Sequence, residues 1–259
     1  MQIMEAILNI YKPQGMTPLQ ALDMIRASEP AYQNEKMTYA GRLDPMAEGV
    51  LLVLVGGAVH KKDIYNGLDK TYEADVLFGV GTDTHDLLGM PMIVATEDMS
   101  DARFKKEADS LLGMHEYALP IYSSKPVQGK PLFQWARENR VHEITVPKRT
   151  MHVYEIDMLD RKKITAGALR KEVAQRIERV TGDFRQEAVK DAWSALLEAD
   201  ANASFHVAHI RVRCASGTYI RTLAHEWGKR LGTDAVLSRL VRTRVGGYAI
   251  GESMQFDNK

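Results

Sequence analysis

The chain holds a single cysteine, Cys214. One thiol excludes an internal disulfide framework and any metal cage built from several cysteines. Apolar runs are short, and none approaches the roughly 20 residues of a membrane-spanning helix. The stretch Met1–Asn9 lacks the basic, apolar and small-residue succession of a secretory leader. Cytoplasmic residence is therefore the expectation. Net charge is also missing, with 34 Lys and Arg set against 34 Asp and Glu. That balance counts mildly against a nucleic-acid partner, whose phosphates favour a basic surface. Nucleotide-binding glycine patterns are absent too. There is no G-x-x-x-x-G-K-[ST], and no G-x-G-x-x-G opens a helix after a strand.

What is present is an ordinary globular composition. The 259 residues are 45% hydrophobic, enough to bury a sizeable core in one large domain or two small ones. The neutral average hides a segregation of charge. Residues 205–244 contain eight Lys or Arg and two acids, whereas residues 63–116 contain four and twelve. A basic stretch in a neutral protein can bind RNA through one face. Two solvated faces of opposite sign are the plainer reading.

Periodicity places the elements. Ile7–Tyr11 reads as a short strand. Thr17 followed by Pro18 is a helix N-cap with proline in the first turn, and Leu22 and Ile25 share a face of that helix. The unbroken apolar run Val50–Val55 suits a strand buried on both sides. Tyr72, Ala74, Val76 and Phe78 alternate along another strand. Gly79–Gly89 reads as a polar, glycine-punctuated loop. Pro131 opens a helix over Leu132–Asn139. Within 165–200, Leu169, Val173, Ile177 and Val180 mark an amphipathic helix, and a second helix follows around Glu187–Ala199. Ala208, Ile210, Val212 and Cys214 alternate in a half-buried strand, with a turn at Ser216-Gly217-Thr218. Ile220, Leu223, Ala224, Trp227 and Leu231 form one face of a helix ended by Gly232, with Arg221 and His225 on its other side. Strands and helices mix without a regular βαβ repeat, so the class is α+β.

Four sets of residues invite chemistry. Asp83, His85 and Asp86 suggest a metal, but the twelfth position of an EF-hand begun at Asp83 is Val94, and a turn rich in Asx and Thr explains the segment better. Asp44, in Gly41-Arg42-Leu43-Asp44-Pro45 before the buried strand, is placed to face a cleft; taken alone it reads more readily as a turn-former before proline. Arg221 opens a helix, where a cation opposes the dipole. A partner carboxylate or an RNA phosphate would account for it, and so would simple exposure. Tyr39, Tyr72, Tyr122 and Tyr219 accompany these segments and could stack on unpaired bases. Each taken singly reads as a core or edge tyrosine.

Five blocks together resemble the TruB family of tRNA pseudouridine synthases, in the family's order. They are Leu8-Asn9-Ile10-Tyr11-Lys12-Pro13-Gln14-Gly15-Met16-Thr17; Gly41-Arg42-Leu43-Asp44-Pro45 with Gly49-Val50-Leu51; Lys70-Thr71-Tyr72-Glu73-Ala74; Pro120-Ile121-Tyr122-Ser123 with Val127-Gln128-Gly129-Lys130; and Gly217-Thr218-Tyr219-Ile220-Arg221-Thr222-Leu223. Leu240-Val241-Arg242-Thr243 resembles a sixth. The likeness runs to about residue 250. It implies a largely antiparallel mixed sheet with flanking helices, and an isomerase that converts uridine 55 in the T-arm of tRNA to pseudouridine. It implies Asp44 as the catalytic aspartate, Tyr72 as the tyrosine stacking on the target base, and Arg221 as the partner of the aspartate. Tyr219 and Leu240 would line the uridine pocket, and Tyr39 stands where the family usually has a substrate-contacting histidine. The reaction needs neither metal nor cofactor. A monomer acting on tRNA without a protein partner or membrane is expected.

Departures accompany the likeness. Gly56-Gly57-Ala58-Val59-His60 replaces the usual Gly-Glu-Ala-Thr-Lys, and Pro126 stands where the Tyr122 block usually has lysine. Residues 161–203 read as a helical insertion in a catalytic domain spanning 1–250, followed by a short tail at 251–259 with no room for a PUA domain. Gly41-Arg42-Leu43-Asp44 also resembles the RsuA and RluA families, so a synthase acting on ribosomal RNA is the second reading. An RNA-folding protein is the third.

Overall fold

The computed structural model describes residues 5–94 and 100–256. Part of the leader reading, the acids at 97 and 98 and the last three residues of the tail lie outside the described residues. In chain order the strands are β1 (Glu5–Lys12), β2 (Met37–Ala40), β3 (Ala47–Gly56), β4 (Lys70–Phe78), β5 (Val80–Thr82), β6 (Pro91–Ile93), β7 (Gly113–Ala118), β8 (Pro126–Val127), β9 (Lys130–Pro131), β10 (Lys148–Thr165), β11 (Ser204–Cys214), β12 (Ala235–Val245) and β13 (Tyr248–Ala249). The α-helices are α1 (Pro18–Ser28), α2 (Lys62–Gly67), α3 (Asp101–Asp109), α4 (Leu132–Arg137), α5 (Ala166–Glu178), α6 (Gln186–Glu198) and α7 (Ile220–Arg230).

One nine-stranded sheet runs β1-β3-β12-β4-β11-β10-β7, with β2 on β3 and β13 on β12. Its ladders are antiparallel except for the short parallel contact of β12 with β3, where Leu240, Val241 and Arg242 face Ala47, Glu48 and Gly49. The fold is the expected α+β class. That parallel contact matters for function because it carries Leu240 and Arg242 to the residues just after Asp44. Gly49 makes it possible. Its φ is +107°, and a Cβ there would lie 2.3 Å from the Arg242 carbonyl oxygen, so only glycine fits.

The apolar patterns pack as the periodicity requires. β3 is buried on both faces: Leu51, Val53 and Val55 pack with α1, and Val50, Leu52 and Leu54 pack on the other side with Ala58 and Val245. Tyr72, Ala74, Val76 and Phe78 of β4 join Ala208, Ile210, Val212 and Cys214 of β11 beneath α7. There the Phe78 ring meets Trp227 edge-on, 4.9 Å between centroids. α1 starts with a capping box, in which Thr17 Oγ1 accepts from Gln20 N–H and the Gln20 side chain accepts from Thr17 N–H.

Two readings of the sequence change. The polar Gly79–Gly89 segment is a loop only beyond Thr82, and a largely buried one. It begins with β5, paired to β6, and Thr82, Thr84 and Asp86 are buried. Side chains replace water as partners there. The Thr82 hydroxyl donates to the Asp86 backbone carbonyl and the Thr84 hydroxyl to the Asp86 carboxylate, which also accepts from Leu88 N–H. The start of the polar side of α7 is likewise closed to water. Arg221 is buried, and the His225 ring stacks on His85 at 4.1 Å. Lys148–Thr165 forms one long strand that leads into α5, so the helices between β10 and β11 span Ala166–Glu198.

Candidate active site

Asp44 lies in the loop between β2 and β3, and that loop is pinned on both sides of it. Upstream, the buried Arg242 donates from Nη2 to Gly41 O (3.0 Å) and from Nη1 to Arg42 O (3.2 Å), while its Nε reaches Val50 O (2.7 Å). Gly41 N–H donates to Asn66 Oδ1 at 2.7 Å. Downstream, Gly15 N–H donates to Pro45 O at 2.8 Å. A carboxylate held this way needs little reordering before it acts.

Arg221, in the first turn of α7, brings its Nε to 2.8 Å from Asp44 Oδ2. The Nε–H is not aimed squarely enough at the carboxylate to make a regular hydrogen bond, so charge holds the pair. Its two other nitrogens are anchored to backbone: Nη1 donates to Thr84 O at 2.8 Å and Nη2 to Tyr122 O at 3.3 Å. Asp86 Oδ2 is 3.8 Å from the same Nε. Burial disfavours the guanidinium's charge, but Asp44 and then Asp86 override it, and the pKa of Arg221 moves up. Burial pushes the Asp86 carboxyl upward, with Arg221 opposing.

Tyr72 and Arg242 are cross-strand neighbours on β4 and β12. Burial raises the pKa of the Tyr72 phenol, with Arg242 pulling the other way. Tyr219 is raised by burial and then by Asp44. Lys70 is pushed down to about 8, first by burial and then by Arg242. Lys12 is fully buried at the end of β1, donating to Pro13 O (2.9 Å) and Met16 O (2.6 Å). Burial lowers it to about 7, and Asp44 partly restores it.

Asp44, Tyr72, Tyr219, Arg221 and Leu240 all line one cleft of about 690 Å³. Tyr39 does not. It lies in β2, outside the residues that line the cleft, with its ring against the core around Ile10 and Val53. Its hydroxyl accepts from Arg42 Nη2 (3.1 Å), and the Lys62 ammonium stands 5.5 Å from its ring centroid. In β2 Tyr39 pairs with Val53 of β3, and both pack with the core beneath α1.

Several cleft residues carry no site assignment from the sequence. Asp86, with Asp83 and His85, suggests a metal or an Asx-rich turn in sequence; its contact with Arg221, remote in the chain, is legible only in the structure. Lys70 and Arg242 lie in resembling blocks, and a charged residue inside an otherwise buried strand was the available signal. Phe184 and Arg185, from the turn between α5 and α6, carried none. The basic stretch at 205–244 also does not form a single surface. Arg221 and Arg242 are buried, while Arg211, Arg213, Lys229 and Arg239 face Glu73, Glu155, Glu226 and Glu48. Positive charge gathers in the cleft instead. Among the described residues Arg42, Lys70, Lys125, Arg137, Arg149, Arg185, Arg221 and Arg242 line it, against the acids Asp44 and Asp86. No group of three or more His, Cys, Asp or Glu among the described residues is arranged to hold a metal ion.

The site thus combines a carboxylate on an arginine with a buried phenol in one cationic cleft on a mixed sheet. The family model described as "TruB family pseudouridylate synthase (N terminal domain)" matches residues 30–174. The "tRNA pseudouridine synthase B" of Geobacillus thermodenitrificans is 31% identical over 256 residues, covering 98% of this chain and 71% of that protein. The protein of the same name from Ligilactobacillus salivarius is 30% identical over 250 residues, covering 96% and 70%. Among solved structures, a Cbf5-Nop10-Gar1 complex aligns with a TM-score of 0.60 at 20% identity, over 96% of this chain. The chain spans about half the length of that solved chain, and the likeness is one of fold. The chain belongs to the TruB family of pseudouridylate synthases. No helix among the described residues is long and apolar enough to cross a membrane.

Proposed function

We propose that this protein isomerises uridine 55 in the T-arm of tRNA to pseudouridine, as a cytoplasmic monomer, with Asp44 as the catalytic carboxylate. In this reading residues 1–250 are one catalytic domain and 161–203 an insertion within it. The observation that carries the proposal is the Asp44–Arg221 ion pair, 2.8 Å long, inside a cleft that also holds Tyr72.

The reaction breaks the N1–C1′ bond of uridine, turns the freed uracil and joins its C5 to C1′; the proton on C5 leaves and N1 gains one. Atoms balance and no electrons are exchanged with a third party. The target base must leave its stack, at a cost of about a few kcal/mol. Stacking on the Tyr72 ring offsets about 1–3 kcal/mol of it. Asp44 meets the reacting nucleoside, and the Arg221 charge beside it favours its ionised form. The guanidinium also opposes the desolvation of that carboxylate once RNA excludes water. Tyr219 and Leu240 shape the space for the base. The cationic wall takes the backbone on either side.

Asp44→Asn tests this directly. Its shape is conserved, so tRNA affinity is expected to stay near wild type while pseudouridine, mapped by carbodiimide modification and primer extension, disappears. Substantial turnover by the variant would refute the role of Asp44. Product on ribosomal RNA but none on tRNA would replace the substrate.

A further inference from the structure

β10 and β11 are adjacent antiparallel strands, with Thr165 opposite Ser204. A short turn could join them. Instead α5 and α6 intervene, and they do not stand apart as a lobe. Leu169, Val173, Ile177, Val189, Trp193 and Leu197 share one core with Met46, next to the Asp44 loop, and with Leu87 and Leu88. Polar contacts tie the pair to both loops that flank the acid. Thr181 N–H donates to Gly15 O (3.0 Å), Gln14 Nε2 to Arg176 O (3.0 Å), and Trp193 Nε1 to Leu87 O (3.1 Å).

The turn between the helices reaches the cleft itself. Phe184 and Arg185 line it beside Phe133 and Arg137 of α4. Arg137 Nη2 donates to Asp183 O at 2.5 Å, so the turn holds a second arginine in position. The Arg185 guanidinium lies over the Tyr122 ring at 4.9 Å, and its Nη2 is 3.0 Å from Asp83 Oδ2. That contact uses one of five N–H donors on a side chain still one-third exposed (34%).

We propose that the α5–α6 turn is an RNA-binding element, in which Arg185 takes a backbone phosphate of the strand flanking the extruded uridine. This rests on the reading that RNA occupies the cleft. Charge complementarity supports it. The turn adds a cation to a wall already dominated by cations, and a planar guanidinium stacked on an aromatic ring is pre-oriented for a phosphate. The competing account is a structural clip, in which Arg185 serves only to fasten the turn to Asp83.

Binding of the full chain to an unmodified T-arm RNA hairpin, followed by fluorescence anisotropy over a salt series, separates the two. Arg185→Gln is expected to weaken binding about fivefold near physiological salt and to lower the slope of log K against log salt by about 0.7–0.9. Arg185→Lys, which keeps the charge, restores the slope. Asp83→Asn releases the arginine and keeps the Oδ1 that accepts from Met90 N–H, so its affinity stays equal to wild type or tightens. A wild-type slope in Arg185→Gln overturns the proposal, and so does an Asp83→Asn variant that loses affinity as Arg185→Gln does. Because the slope is read from binding, a wild-type protein that grips the hairpin without forming pseudouridine would overturn the proposed function and leave this inference standing. Failure of the wild-type chain to bind the hairpin would overturn both.

Discussion

Tyr72 meets two opposed influences. Burial favours its neutral phenol, and the cross-strand Arg242 favours the phenolate. Burial is the larger, so at neutral pH the residue offers a flat ring and an O–H donor rather than a ready base. Acceptance of the C5 proton by this oxygen would have to draw on Arg242. Tyr72→Phe keeps the ring and removes the hydroxyl. If that oxygen moves the proton, single-turnover formation of pseudouridine should fall by about a hundredfold, within the range of general acid–base catalysis, with RNA affinity retained. Rates equal to wild type would reduce Tyr72 to a stacking surface. Its burial was legible from alternation with Ala74, Val76 and Phe78. The arginine opposite it was not, because no local pattern tells which strand will lie beside β4.

Among the elements, the loop from Lys12 to Thr17 shows how local and distant forces divide the work. Its C-terminal half was readable, since a Thr-Pro cap is satisfied within one turn of chain. Its N-terminal half depends on a helix far along the sequence. Gly15 has φ +95°, and a Cβ on it would lie 2.0 Å from the Arg179 carbonyl oxygen. Gly15→Ala should therefore destabilise the fold by roughly 1–3 kcal/mol, the scale of a strained backbone residue. Gly67→Ala, where nothing lies within 4 Å, serves as the control and should change stability by less than about 1 kcal/mol. Urea midpoints for the two variants measure the contrast. Equal midpoints would mean that the approach of Arg179 to Gly15 is easily relaxed. The burial of the polar segment Gly79–Gly89 escapes the sequence for a related reason. Hydroxyls and a carboxylate look like solvent-seeking residues in sequence, yet here they find partners in the interior, Thr82 on the Asp86 backbone carbonyl and Thr84 on its carboxylate.

At the scale of the molecule, the cores are joined through shared strands. On β4, Phe78 packs beneath α7 while its neighbour Leu77 packs against α5 and α6. Trp227 reports the first of these cores and Trp193 the second. One cooperative unit is expected, so tryptophan fluorescence and far-ultraviolet circular dichroism should give coincident denaturation curves. An earlier fluorescence transition, from Trp193 as α5 and α6 detach, would show that the helix pair is an independent lobe. Charge is organised at this scale too. A neutral chain acquires a cationic cleft because loops, strands and the α5–α6 turn each deliver a side chain or two to the same wall.

By itself the amino-acid sequence determined what depends on neighbours within a turn or a strand: the caps, the alternation of β4 and β11, the doubly buried β3 and the blocks of family likeness around Asp44, Tyr72 and Arg221. Tertiary structure alone decided the rest. The parallel contact of β12 with β3, the burial of Asp86, the exclusion of Tyr39 from the cleft and the arrival of Arg185 within it all depend on segments far apart in the chain. Those contacts are selected by how whole faces pack and how buried charges find partners, and such forces leave no periodic trace in the local sequence.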